Sequence, residues 1–334
     1  MQRRSFITRS TYEVWDINLW GDCPGLNAAI RAFVRRALLN GDEVWGFRDG
    51  WQGVVFGNYE VLNRERISGI IYQGGTILGT SRFNPLEDRG FINSALSTLQ
   101  EIDGLVVLGG NGSLHIAYYF QKVWGKVVFI PKTIDNDIWG TESIGFDTAL
   151  NIAMETIDRL HSTAESQKRV FVVQVMGRHT GWIALYSGIS AGADVIVIPE
   201  YPLTVEEIAE VVENRRRKGR KFSIVVVAEG VRYSDQKVQN VGIRIQRKLA
   251  ELLKIETRFV EVGYVLRGGS PSAYDRLMAH TMGNFAYELL SKGKFGKITA
   301  YNGYDVFALG IRSVVGRLKM VSLEEFLRAK IFFG

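Results

Sequence analysis

The 334-residue chain has one cysteine, Cys23, so no intrachain disulfide can form, and such sparing use fits a reducing, cytoplasmic setting. Proline is scarce, at 6 residues, and the 36 glycines follow no period, which excludes collagen-like and Pro-rich architectures. No apolar run reaches the roughly 18 residues that a membrane-spanning helix needs. The first twenty residues lack the uninterrupted apolar stretch of a secretory signal. Charge is close to balance, with 41 basic residues against 35 acidic for a net +6. No basic face with interleaved aromatics points to nucleic acid, and the modest excess suits an anionic small molecule. What remains is 46% hydrophobic and 23% charged, a globular composition long enough for about two domains.

Short, β-branched, apolar runs recur between amphipathic stretches: Leu105–Leu108, Val127–Ile130, Val170–Val175, Val195–Ile198, Ile224–Val227 and Phe259–Val262. That alternation predicts an α/β fold with mostly parallel sheets buried on both faces. With no repeat or linker to mark a boundary, the expectation is two interleaved Rossmann-like lobes with an active-site cleft between them. Thr204-Val205-Glu206-Glu207 is a capping box opening a helix. The densest basic patch, 215–221, then falls at that helix's C-terminus, where cations complement the dipole.

Polar clusters follow several of the runs, at the strand ends where α/β sheets bind ligands. Gly109-Gly110-Asn111-Gly112-Ser113 has the form of a phosphate-binding turn, with glycines for close approach and a helix start aimed at the anion, although such turns are often only turns. A second glycine-bearing turn, 21–31, also leads into a helix. Thr133-Ile134-Asp135-Asn136-Asp137 puts a hydroxyl and two carboxylates in one turn. One carboxylate can take a proton from a substrate hydroxyl while the other orients it or holds a metal; read bare, the pair is equally a capped turn. Arg178, in Met176-Gly177-Arg178-His179-Thr180-Gly181-Trp182, can stabilise charge on a transferring phosphoryl group.

Taken in order, the segments 21–31, 74–82, 109–113, 131–137, 144–149, 176–182, 228–230 and 266–271 resemble the 6-phosphofructokinase family, from about residue 21 onward. The resemblance implies a phosphotransferase of glycolysis that moves a phosphoryl group from ATP or pyrophosphate to the 1-hydroxyl of fructose 6-phosphate with Mg²⁺. It implies Asp135 as the base, with Thr133, Asp137 and Arg178 as its catalytic companions. Sugar-phosphate contacts fall on Thr133, Asp135, Arg169, Met176, Gly177, Arg178, Glu229, Arg258, Tyr264 and Arg267. Donor positions fall on Gly21, Arg82, Phe83, Gly110, Asn111, Gly112 and Ser113. The counterparts of Arg169 and Arg258 reach in from a neighbouring subunit, so a homo-oligomer, dimer or tetramer, is implied. The larger, donor-side lobe is expected over 12–146 with 266–312, and the smaller, sugar-phosphate lobe over 147–265 with 313–334.

Several positions depart from the family pattern. Gly112 is the residue of nucleotide users, whereas Lys132 is that of pyrophosphate users; the mixture resembles a branch that often uses ATP. Asn111 replaces a magnesium-binding aspartate, keeping an oxygen but losing a charge, and so makes a weak metal ligand. Tyr264 replaces a histidine. Trp20 stands where the family has the first glycine of a Gly-Gly pair before the Asp-Cys-Pro-Gly turn. A Trp codon followed by a codon beginning with G reads as glycine one base later, and Tyr12 to Trp20 in that frame can give Met-Lys-Tyr-Gly-Ile-Ser-Thr-Cys-Gly. Residues 1–20 are therefore expected to be an out-of-frame reading after loss of one base near the Trp20 codon, with a divergent strand as the alternative. The readings left open are an ATP enzyme, a pyrophosphate enzyme, and a catalytically impaired sugar-phosphate-sensing subunit.

Overall fold

The computed structural model describes residues 9–14, 22–233 and 240–334. The chain divides into two units, Met1–Asp147 with Arg267–Leu318, and Thr148–Leu266 with Lys319–Gly334. In chain order the elements are β1 (Arg9–Val14), α1 (Leu26–Leu39), β2 (Glu43–Phe47), α2 (Trp51–Phe56), β3 (Tyr59–Val61), α3 (Arg89–Leu99), β4 (Leu105–Gly109), α4 (Asn111–Val123) and β5 (Val127–Pro131). Next come α5 (Phe146–Gln167), β6 (Val170–Val175), α6 (Trp182–Ser190), β7 (Val195–Val197), α7 (Val205–Arg217), β8 (Ser223–Ala228), α8 (Val241–Leu253) and β9 (Thr257–Val262). The chain ends with α9 (Ala273–Ser291), β10 (Lys297–Tyr301), β11 (Val306–Gly310), α10 (Ile311–Val314) and α11 (Leu323–Lys330).

In the first unit the described strands are ordered β11-β10-β5-β4-β1-β2-β3. β4 and β5 are buried at every position, as a parallel strand covered on both faces must be. They pair in parallel with Leu105 opposite Val127 and Gly109 opposite Pro131, so both strands end at one level. Antiparallel pairing is confined to the edges, β2 with β3 and β10 with β11. The core gathers around Trp51, which stacks on Phe120 with ring centroids 4.6 Å apart, beside Phe47, Leu105 and Phe129.

The second unit has a sheet ordered β7-β8-β6-β9, parallel throughout. Val172, Val173, Val225 and Val226 fill its middle with no solvent exposure. Val175 lies opposite both Ala228 and Val262, so β6, β8 and β9 also end together. The capping box at Thr204 forms, with Glu207 N–H donating to Thr204 Oγ1 at 3.2 Å and Thr204 N–H to Glu207 Oε2 at 2.7 Å. Of the basic patch beyond it, Arg215 is drawn inward to Asp194 at 2.9 Å.

All six expected strands are present, within one or two residues at their ends. The sequence reading missed β2, β3, β10 and β11. β3 is three residues long and largely exposed, and β11 is mostly half-buried, so neither shows the apolar run of a central strand. No helix of the described residues is long and apolar enough to cross a membrane.

Candidate active site

Two loops of the first unit leave the sheet side by side. Gly110, the N-cap of α4, has no side chain with which to cap that helix, the form in which a glycine turn presents a helix start to an anion. Asn111, Gly112 and Ser113 form the first turn. The Asn111 amide nitrogen is buried with no hydrogen-bond partner in the protein, an unsatisfied donor at the start of a positive dipole end. The neighbouring loop begins at Lys132, which is buried and whose N–H donates to Gly109 O at 2.9 Å.

Beyond Lys132, Thr133 N–H donates to Ile144 O at 3.2 Å and Asp135 N–H to Thr133 Oγ1 at 3.2 Å, which shapes the acid turn. Asn136 takes a positive φ of 51°, and its side-chain oxygen accepts from Ser143 N–H at 3.1 Å. Asp135 is left half-buried while Asp137 is 5% exposed, so two carboxylates two residues apart have different access to solvent.

Long-range hydrogen bonds tie the other segments of this unit to that loop. Cys23 Sγ donates to Ile144 O at 3.3 Å, and Gly145 N–H donates to Asp275 Oδ1 at 2.8 Å. Gly145 has φ +99°, and a Cβ there would meet Cys23 Sγ at 2.6 Å, so glycine is required on both counts. Asn27, 1% exposed, accepts from Ile77 N–H at 2.8 Å and donates to Gln73 O and Gly74 O at 3.2 and 3.3 Å. It thereby pins the 74–82 segment, which carries exposed Arg82 and is followed by half-buried Phe83; Phe83 packs on Phe91 with centroids 4.9 Å apart. Ser270 Oγ donates to Tyr72 O at 2.7 Å, joining the 266–271 segment to the same loop. Sequence reasoning assigned no tethering role to Asn27, Asp275 or Ser270. Asn27 and Ser270 lay inside quoted motifs, and Asp275 carried no local signal. Gly21 lies outside the described residues.

In the second unit, the common strand end gathers Met176, Gly177 and Arg178 after β6, Glu229 after β8 and Tyr264 after β9. Glu229 N–H donates to Val175 O at 2.9 Å and Gly230 N–H to Gly177 O at 3.0 Å, so the first two loops lie against each other. Met176 is buried, Arg178 is exposed, and Tyr264 is 61% exposed. Arg267, buried, ends the helical turn that begins at Tyr264 and is the residue at which the chain returns to the first unit. Burial beside the cations Arg178 and Arg232 lowers the His179 pKa.

Arg169 and Arg258 are not with this group. Arg169 precedes β6, and Arg258 pairs with Phe171 near the start of β9. Both ion-pair with Glu256, Arg169 at 2.6 Å. The strand separates them from Met176 and Glu229 by about 20 Å, at roughly 3.3 Å per residue.

Paired glycine and acid loops at the ends of adjacent parallel strands define a class of α/β protein equipped for anionic, phosphate-bearing ligands. The phosphofructokinase family model matches residues 17–290, and the chain belongs to that family. It is 43% identical to ATP-dependent 6-phosphofructokinase 3 of Bacteroides thetaiotaomicron, over 94% of this chain and 97% of that one. It is also 41% identical to the pyrophosphate–fructose 6-phosphate 1-phosphotransferase of Amycolatopsis methanolica, over 94% and 97%. Among solved structures, the T-state phosphofructokinase of Pichia pastoris superposes with a TM-score of 0.84 at 32% identity; the match covers 93% of this chain and 36% of that longer polypeptide. A pyrophosphate-dependent phosphofructokinase from Nitrosospira multiformis shares the fold, with a TM-score of 0.85 at 20% identity over 98% of this chain and 92% of that one.

Proposed function

We propose that the protein is an ATP-dependent 6-phosphofructokinase of glycolysis, a phosphotransferase acting on the 1-hydroxyl of fructose 6-phosphate. The observation that carries this reading is the Lys132 N–H to Gly109 O bond and the shared strand end around it, which set the acid turn directly beside the open start of α4. Adjacent strands lie about 5 Å apart, so a phosphate held at the helix start and a hydroxyl held at the acid turn are within reach of each other.

In this reading Asp135 accepts the proton of the 1-hydroxyl as that oxygen bonds to the γ-phosphorus, and the bond from the γ-phosphorus to the β–γ bridging oxygen breaks to release ADP. Thr133 orients the hydroxyl and Asp137 keeps the turn negative. Arg178 neutralises charge on the transferring group. Gly110, Asn111, Gly112 and Ser113 hold the donor phosphates, with Gly21, Arg82 and Phe83 completing the donor set. Met176, Gly177, Glu229, Tyr264 and Arg267 hold the sugar phosphate, with Arg169 and Arg258 serving a neighbouring copy in a homo-oligomer.

The unsatisfied Asn111 amide and the open helix start fit a polyphosphate. Among the described residues no three His, Cys, Asp or Glu side chains form a metal cluster. A magnesium ion bound with the donor would have the Asn111 amide oxygen as a weak protein ligand. Magnesium, when bound, neutralises phosphate charge.

Gly112 favours ATP, because a residue without a side chain leaves room for a nucleotide. Buried Lys132 favours the second reading, pyrophosphate as donor. Coupled assays of the purified protein with fructose 6-phosphate, Mg²⁺ and either donor decide between them. Turnover with ATP is expected. Turnover with pyrophosphate alone reverses the donor assignment, and binding of fructose 6-phosphate with no turnover on either donor makes the protein a sensing subunit.

A further inference from the structure

The loop bearing Arg178 is held at both ends by hydrogen bonds to its backbone. At its start, Gly177 O accepts from Gly230 N–H. At its end, Gly181 is the N-cap of α6, whose own residues provide no side-chain cap. The missing acceptor is Glu200, three residues past β7, whose Oε1 accepts from Gly181 N–H at 3.1 Å. The same oxygen accepts from Val321 N–H, also at 3.1 Å, in the segment leading into α11. Glu200 Oε2 is buried and makes no hydrogen bond within the protein. The packing is close: a Cβ at Gly181 would meet Ile198 Cβ at 2.3 Å and Glu200 Oε2 at 3.0 Å.

A carboxylate at a helix N-terminus is favoured by the dipole, and burial strengthens each hydrogen bond it makes. Trp182 Nε1 adds a bond to Lys319 O at 2.6 Å, so the C-terminal segment is fastened at two points to the start of α6. We propose that Glu200 is a positioning residue for phosphoryl transfer: it locks the Arg178 loop to the sheet and to the C-terminal segment, so that the guanidinium is in place before the transferring phosphate arrives. The proposal rests on the role given above to Arg178. Glu200 itself touches no reacting atom.

The test is a double-mutant cycle in the full chain, read by steady-state kinetics. Glu200→Ala is expected to lower kcat about 10²-fold, the order reached when a catalytic group shifts by an ångström, with KM for fructose 6-phosphate changing by less than about 3-fold. Glu200→Gln keeps an oxygen acceptor for both amides and should stay within about 5-fold of the parent. In an Arg178→Ala background the Glu200→Ala change should cost almost nothing more, since no guanidinium remains to be misplaced. Losses that multiply in full, or an unchanged kcat for Glu200→Ala, overturn the proposal. If Glu200→Ala does not fold, Glu200→Asp, which withdraws the carboxylate by one methylene, enters the same cycle under the same two outcomes. Amide hydrogen exchange provides a readout free of turnover: Gly181 and Val321 should be protected in the parent and lose protection together in Glu200→Ala. Unprotected Gly181 in the parent overturns the lock. Arg178→Ala with unchanged turnover instead overturns the role of Arg178.

Discussion

Asp135 and Asp137 differ in burial although a single residue separates them. The cause is Asn136, whose positive φ and bond to Ser143 N–H fix the turn so that only one carboxylate remains half-open. A general base must meet its substrate's proton at hydrogen-bond distance, so the more accessible Asp135 suits that task. Asp135→Asn is expected to cut kcat by about 10²- to 10⁴-fold, the range of a lost general base, with little change in fructose 6-phosphate affinity by titration calorimetry. Retained turnover would remove Asp135 from the chemistry. The acid turn could be read from sequence because its residues are contiguous. Asn27, Asp275 and Glu200 could not, because each acts through hydrogen bonds to backbone more than a dozen residues away, and a one-dimensional pattern does not encode such pairings.

Among the elements, α7 was the most fully legible, since its cap, its apolar rhythm at Ile208 and Val212 and its basic end all lie within one local window. The edge strands were hidden because half-exposed strands obey no continuous apolar rule. Thr204→Ala should destabilise the protein by about 1 kcal/mol, measured by urea titration, as other lost N-caps do. The bonds from the backbone and side chain of Thr204 hold the Glu207 carboxyl below its usual range. A carboxyl whose folded pKa lies below its unfolded value contributes stability that is present above about pH 4.5 and is lost as pH falls through the folded value. Thr204→Ala should therefore narrow its deficit below pH 4.5; a deficit constant down to pH 3 would show that Glu207 is not coupled to the cap.

In the whole molecule, β1 pairs with β2 on one side and β4 on the other, in the interior of a sheet whose neighbouring strand is wholly apolar. Its sequence, Arg-Ser-Thr-Tyr-Glu-Val, is too polar for a parallel strand flanked on both sides. Residues 15–20, Trp20 among them, lie outside the described residues, and the reading of residues 1–20 as out of frame rests on their sequence alone. Resequencing the coding DNA should reveal a base missing near the Trp20 codon. A sequence that encodes Trp20 as written, with no shifted-frame methionine, makes the segment a divergent one.

The positions of Arg169 and Arg258, at the far end of the strands from Met176 and Glu229, lead to a test of assembly. If each copy lends Arg258 to its neighbour's sugar-phosphate site, Arg258→Ala and Asp135→Ala chains are separately inactive but complementary. In a mixed pair, the copy that retains Asp135 receives Arg258 from its partner and regains one complete site, while the other site lacks both. Random pairing of equal amounts, after joint unfolding and refolding, should then restore roughly a quarter of the parent activity, because half the pairs are mixed and each has one good site of two. Arginines acting within their own chain would yield no complete site in any combination, and the mixture would stay as inactive as its components.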